Sequence, residues 1–236
     1  MAESASVLFG GLIASGRKFK VKLLGDSITH GVGGTGFKQD GQPIVGNFAR
    51  NPNGYCWAKQ FKECMEAKYN CEVNNNACTG TTIEFIINNF DALVSGDDDV
   101  VVCTIGTNNR HQYFKNGPKH TKEEHMDIFY ANILKLYGMF KAADKNVVFM
   151  ANIPASQKNE QDGAEYWRIF HMDDVNAMYK RASGECGFAF VSLYELFSGY
   201  CADNGVELDL LLADGLHPNN NGYDVMFSLI TKAIEV

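Results

Sequence analysis

Short β-rich runs alternate with longer segments of helical period along this chain, and that alternation is what most narrows its fold. The strand candidates are Lys20–Leu24, Glu72–Asn75, Asp99–Ile105, Asn146–Ile153 and Phe188–Leu193. The helix candidates between and after them are Tyr55–Tyr69, Thr82–Leu93, Thr121–Ala143, Tyr166–Glu185 and Gly222–Val236. Strands that take turns with helices form parallel sheets, because a parallel neighbour is reached only by a crossover. DVVVCTI and NVVFMANI are nearly continuous apolar runs, as strands covered by helices on both faces require. The segment WAKQFKECMEAKY sets Trp57, Phe61, Cys64 and Met65 on one helical face, which reads as core.

The 236 residues can bury one sizeable core, and no repeat or low-complexity linker divides them. The expectation is one domain over 1–236, with residues 1–19 as an N-terminal extension. SVLFGGLIASG has the length of a leader's apolar region, yet the residues before it, Met-Ala-Glu-Ser, carry no positive charge. No apolar run approaches the length needed to cross a bilayer. Seven cysteines without any C-x-x-C pair fit neither a disulfide framework nor a zinc knuckle and read as mostly buried thiols of a reducing, cytoplasmic compartment, with secretion left open. A formal net charge of −7 argues against a nucleic-acid partner, whose affinity comes from clustered Lys and Arg. The one basic cluster, Arg17-Lys18-Phe19-Lys20-Val21-Lys22, reads as a solvated strand edge.

Polar residues collect at the strand ends. Gly25-Asp26-Ser27 follows the first strand, Asn75 to Thr82 the second, and Gly106-Thr107-Asn108-Asn109 the third, while Asp214-Gly215-Leu216-His217-Pro218-Asn219 precedes the last helix. Parallel strands would bring the first three to one edge of the sheet, where open α/β sheets bind ligands. Acyl transfer needs a hydroxyl activated by a base, a carboxylate that fixes the base, and donors for the developing oxyanion. The chain supplies a candidate for each: Ser27 as nucleophile, His217 as general base and Asp214 as its partner. The Ser27 N–H, the Gly80 N–H and the Asn108 amide are the oxyanion candidates. Glycine at 80 is read as allowing close backbone approach to substrate. Each piece alone is ordinary turn chemistry; their joint, ordered occurrence is the signal.

These four blocks resemble those of the GDSL or SGNH hydrolases: GDSIT around Ser27, N-x-x-x-x-G at Asn75 and Gly80, G-T-N at Gly106 and Asn108, and D-x-x-H-P-N from Asp214 to Asn219. The resemblance implies a three-layer α/β/α, flavodoxin-like fold and a Ser-His-Asp esterase or acylhydrolase that needs no metal or cofactor. It also implies the roles already given to Ser27, Gly80, Asn108 and His217. Two positions depart from the pattern. Asn109 stands where the family commonly has Asp, and the small residue of the second block is Ala77 followed by the larger Cys78.

Other residues near these blocks invite substrate-binding roles. His30 could line the pocket or be an ordinary polar loop residue; Asn109 and His111 could touch substrate. His120, His125 and His171 offer no metal-ligand spacing. Two long loops, Val32–Asn53 and Pro154–Glu165, follow predicted strands and are candidate substrate walls. Their polar character favours a short acyl group, acetyl on a carbohydrate above all, with Tyr166 and Trp167 either stacking on a sugar or packing on the sheet. The rivals are a lipid acylhydrolase or thioesterase, and a non-catalytic relative that binds acylated glycans. A phosphate-binding protein fits poorly, since GDSITHG is not a Gly-rich cradle.

Overall fold

In the computed structural model, residues 4–38, 54–110, 120–160 and 168–236 are described. Five strands, β1 (Phe19–Gly25), β2 (Cys71–Asn75), β3 (Val100–Thr104), β4 (Asn146–Ala151) and β5 (Ala189–Ser192), form one sheet in the order β2-β1-β3-β4-β5. Every pairing is parallel. The helices are α1 (Ala5–Ala14), α2 (Ser27–His30), α3 (Trp57–Lys68), α4 (Ile83–Asn88), α5 (Phe90–Leu93), α6 (Lys122–Ala142), α7 (Gln157–Glu160), α8 (Met172–Cys186), α9 (Leu193–Asn204) and α10 (Asn220–Ile234).

Alternation along the strands sorts the core into two layers. Val21, Leu23, Val100, Val102, Val148 and Met150 pack with α1, α3, α9 and α10. Leu24, Val101, Cys103, Val147 and Phe149 pack with α4, α5, α6 and α8. β3 is buried at every residue, which is why its sequence is an unbroken apolar run. The result is a three-layer α/β/α sandwich with a flavodoxin-like parallel sheet. After β2 the chain crosses back over β1 to β3, so the strand order reverses there and opens a crevice at the carboxyl ends of β1 and β3.

Several sequence expectations shift at their edges. The helix expected over Thr82–Leu93 is two, because Asn89 leaves helical geometry (φ −120°, ψ 21°) between α4 and α5. The helix expected from Tyr166 starts at Met172, where the Asp174 carboxylate accepts the His171 N–H at 2.8 Å and closes a capping box. On α3 the buried face holds Trp57, Ala58, Phe61 and Met65, with Cys64 only half-buried. Three of the seven cysteines, Cys56, Cys78 and Cys103, are buried and Cys186 is exposed, fewer buried thiols than the composition suggested.

The basic cluster is not wholly a solvated edge. Arg17, Lys18 and Lys20 do pair with Asp99, Glu72 and Asp97 at the surface, but Lys22, two residues further along the face that carries Lys20, is buried. Its ammonium lies 3.8 Å from the equally buried Asp98. Burial pushes the Lys22 ammonium's pKa down and the Asp98 carboxyl's up, each opposed by the other's charge. The leader-like segment is α1, whose Ala5 and Phe9 are buried in the layer that contains α10. The Phe9 ring meets Phe61 edge to face at 6.3 Å between centroids. Among the described residues, no helix is long and apolar enough to cross a membrane.

Candidate active site

β1 delivers Ser27 to the crevice through a tight strand-to-helix turn. Gly25 belongs there for packing: a Cβ would sit 2.5 Å from Thr104 Oγ1 and 2.6 Å from Thr29 Oγ1. Asp26 is the N-cap of α2, its Oδ1 accepting the Ile28 N–H at 3.0 Å. Ser27 therefore takes the first position of α2, where a backbone N–H has no partner within the helix. Its side chain is nearly covered, at 4% exposure.

The second component comes from the segment before α10. Asp214 Oδ1 accepts the N–H groups of Leu216 (3.0 Å) and His217 (2.8 Å), which folds the loop so that the imidazole returns over its own carboxylate. Asp214 Oδ2 then lies 2.7 Å from His217 Nδ1, and His217 Nε2 lies 2.8 Å from Ser27 Oγ. One ring nitrogen donates and the other accepts, so the Asp214 contact selects the tautomer with hydrogen on Nδ1. Partial burial raises the Asp214 carboxyl's pKa, but the side-chain and backbone hydrogen bonds from His217 and the N–H of Leu216 more than reverse this and hold it far below the usual range.

Two segments grip this loop. Ser156 donates its N–H to Gly215 O at 2.8 Å, and Asn159 Nδ2 reaches Asp214 O at 3.2 Å. From the other direction the chain after α2 passes so closely that a Cβ on Gly33 would lie 2.3 Å from Pro218 O and 3.1 Å from His217 Cβ. Gly33 also has φ +93°, a backbone region that favours glycine. Tyr223 of α10 donates its hydroxyl toward Val32 O (2.6 Å) and Ile28 O (3.0 Å), tying α10 to the nucleophile turn.

The second block forms a turn. Asn75 accepts the Ala77 N–H at 2.9 Å and donates to Thr29 O at 3.0 Å, while Cys78 N–H reaches Gly25 O at 3.1 Å. Thr81 N–H then bonds Cys78 O at 3.2 Å, with Gly80 at φ +82°. A positive φ at the third turn residue alone defines type II, and it sets which way the central Thr79–Gly80 peptide points. Nothing lies within 4 Å of a Cβ built on Gly80. Within the protein, the glycine is thus required by backbone conformation. Asn108 is buried and gives one amide hydrogen to Thr81 O at 2.9 Å, leaving its second N–H for another acceptor.

The three candidate substrate contacts fare differently. His30 is 1% exposed, and its Nδ1 contacts Thr79 N (3.3 Å) and Thr79 Oγ1 (3.0 Å). Asn109 accepts the Ile83 N–H at 3.1 Å and donates to Glu84 at 2.8 Å, so it holds the start of α4. His111 lies outside the described residues, as do Tyr166, Trp167 and parts of both long loops. His171, whose sequence spacing offered no ligand set, has Asp173 and Asp174 close in space, with their ligand atoms within 4.8 Å of one another. Asp174 is already engaged by the His171 N–H and by Lys122 Nζ at 2.8 Å.

Sequence reasoning missed the support beneath Ser27. Asn152, just past β4, donates Nδ2 to Asp26 Oδ2 (3.1 Å) and to Thr107 Oγ1 (2.7 Å). Arg110, with no exposed surface, gives Nε–H to Thr107 O at 3.1 Å and pairs with Glu160. Burial raises the Asp26 carboxyl's pKa, and the hydrogen bonds from Ile28 and Thr107 and the charges of His217 and Arg110 only partly offset it. Asn152 stands near the end of the fourth predicted strand, and only the ends of the first three were weighed.

A family model described as "GDSL-like Lipase/Acylhydrolase family" matches residues 23–225. Among solved structures, Axe2, an acetylxylan esterase from Geobacillus stearothermophilus, superposes with a TM-score of 0.67 at 19% identity, covering 92% of this chain and 94% of that one. LAE5, an alpha/beta hydrolase enzyme from the metagenome of Lake Arreo, Spain, gives 0.67 at 19% identity over 92% and 95%. No curated protein matches the chain.

Proposed function

We propose, on the premise that this chain belongs to the GDSL-like lipase/acylhydrolase family and is a carboxylic ester hydrolase, that it works through an acyl-enzyme on Ser27. The observation that carries this reading is the continuous line from Asp214 Oδ2 through His217 to Ser27 Oγ, with contacts of 2.7 and 2.8 Å. His217 Nε2 takes the Ser27 proton as Oγ attacks the ester carbonyl, and returns it to the departing alcohol. Asp214 keeps the imidazole in the required tautomer and stabilises its charged form. The Ser27 and Gly80 N–H groups and the remaining N–H of Asn108 Nδ2 donate to the oxyanion. Water, deprotonated by the same His217, then attacks the acyl-Ser27 and releases the acid.

For substrate, the reading is a short acyl group, acetyl on a carbohydrate. The polar sequences of the loops after β1 and β4 support it. So does the description of Axe2, named for acetylxylan, whose variants at a serine, an aspartate and a histidine are called catalytic mutants. In that enzyme the aspartate and histidine are three residues apart, as Asp214 and His217 are here.

The test is labelling with a serine-directed organophosphonate, followed by turnover of acetyl and octanoyl p-nitrophenyl esters. Label on Ser27, none on Ser27→Ala, and faster release from the acetyl ester are expected. A folded protein that takes no label removes the mechanism, and octanoyl preference replaces the acetyl reading with a lipid acylhydrolase or thioesterase.

A further inference from the structure

We propose that His30 is the positioning residue that joins the nucleophile to its oxyanion donor, an inference that rests on the hydrolase reading above. His30 ends α2, three residues after Ser27, so both lie on one face of the same helical turn. Its ring is buried and is held edge-on by Phe37, with centroids 5.1 Å apart. From there Nδ1 meets both the backbone N and the hydroxyl of Thr79, at 3.3 and 3.0 Å. Thr79 is the second residue of the Cys78–Thr81 turn, and Gly80 is the third.

A turn of this type differs from its commoner alternative mainly by a flip of the central peptide, the unit that contains the Gly80 N–H. Gripping Thr79 at two atoms fixes that peptide's near end. The other bonds of the turn act elsewhere: Cys78 N–H on Gly25 O, Thr81 N–H on Cys78 O, and Asn108 on Thr81 O. The His30 contact instead links the turn to the helix that carries Ser27. When α2 shifts, the Gly80 N–H shifts with it, so nucleophile and donor keep their spacing about a carbonyl bound between them. Preorganised donors are effective only within a fraction of an ångström, which gives a buried side chain without substrate contact a large influence on rate.

The role requires an acceptor at the Nδ1 position. Asparagine can place its amide oxygen there, whereas glutamine carries the equivalent oxygen one bond farther along. His30→Gln and His30→Asn are therefore matched in polarity and differ in where they accept. His30→Gln is expected to lower kcat by about tenfold or more at unchanged KM, and to slow phosphonate labelling of Ser27 to the same degree. His30→Asn is expected to recover most of both losses, with the two variants melting at similar temperatures.

Amide exchange at Thr79, whose N–H His30 accepts, adds a readout independent of turnover: protection in wild type and His30→Asn, and faster exchange in His30→Gln. Equal rates in all three proteins overturn the proposal. So does an equal loss in both variants that tracks a drop in melting temperature, since that marks a packing role only. A wild-type protein that takes no phosphonate sinks the hydrolase reading instead, which the exchange pattern at Thr79 keeps distinct from failure of the His30 contact.

Discussion

Asp214 and Asp26 both stand at the Ser27 site, and the chain builds them in opposite ways. Asp214 sits on a loop with its side chain about half exposed, and three hydrogen bonds from Leu216 and His217 hold it charged. Asp26 is wholly buried just past β1, and its donors come from α2 and from the segments that follow β3 and β4. The first carboxylate touches His217 directly; the second touches only the scaffold that presents Ser27. One arrangement suits a group that must interact with a charge appearing and disappearing in the reaction. The other suits a group whose job is geometric, because moving it would disturb three elements at once.

The sharpest way to break this contrast is to remove charge from the exposed partner. Asp214→Asn keeps an acceptor for the backbone turn but allows the wrong imidazole tautomer. A fall in kcat of about a thousandfold or more is expected, a far larger effect than the accompanying loss of stability, measured with the acetyl ester. A loss under tenfold would mean that His217 is oriented by something other than Asp214.

The buried partner should respond in the reverse order, stability before rate. Asp26→Ala strips the acceptor from the Ile28 N–H, from Asn152 Nδ2 and from Thr107 at once. Losing the cap and leaving buried donors unpaired should cost about 2 kcal/mol or more in urea unfolding, a drop of roughly 4–8 °C in melting temperature. An unchanged midpoint would show that the network adapts around the missing carboxylate.

The same contrast explains what could be read from the sequence. Strands were legible because period and composition are local: each of the five begins within a residue or so of its expected start. Asp214 and His217 were legible for the same reason, since their turn is closed within four residues. The Asp26 network was not, because Asn152 lies 126 residues away and no local pattern marks it. α1 escaped notice since Gly10 and Gly11 and an almost unbroken apolar run hide any amphipathic face. α9 follows β5 with no connecting loop, so no turn signal announces it. Lys22 was misplaced because the strand's two-residue period sets it on the same face as Lys20, and no local pattern marks that this face becomes buried one step further along β1.

The smallest effect is also the one that separates the two carboxylates most cleanly, because their contributions to stability run in opposite directions with pH. Asp214 has a folded-state pKa below its unfolded value of about 4. Its contribution is fully present above that unfolded value and is lost as pH falls through the folded one. Asp26 has a folded-state pKa above the unfolded value. In the window above about 4 the folded protein holds a proton that the unfolded chain has released, so stability from this group declines as pH rises through the folded pKa. Urea unfolding across pH 3 to 7 should therefore show the deficit of Asp214→Asn shrinking toward the acid end. Asp26→Asn, which cannot ionise, should instead gain relative to wild type as pH rises from about 4. Parallel curves for Asp26→Asn and wild type would mean that donors from Ile28, Asn152 and Thr107 fully compensate burial.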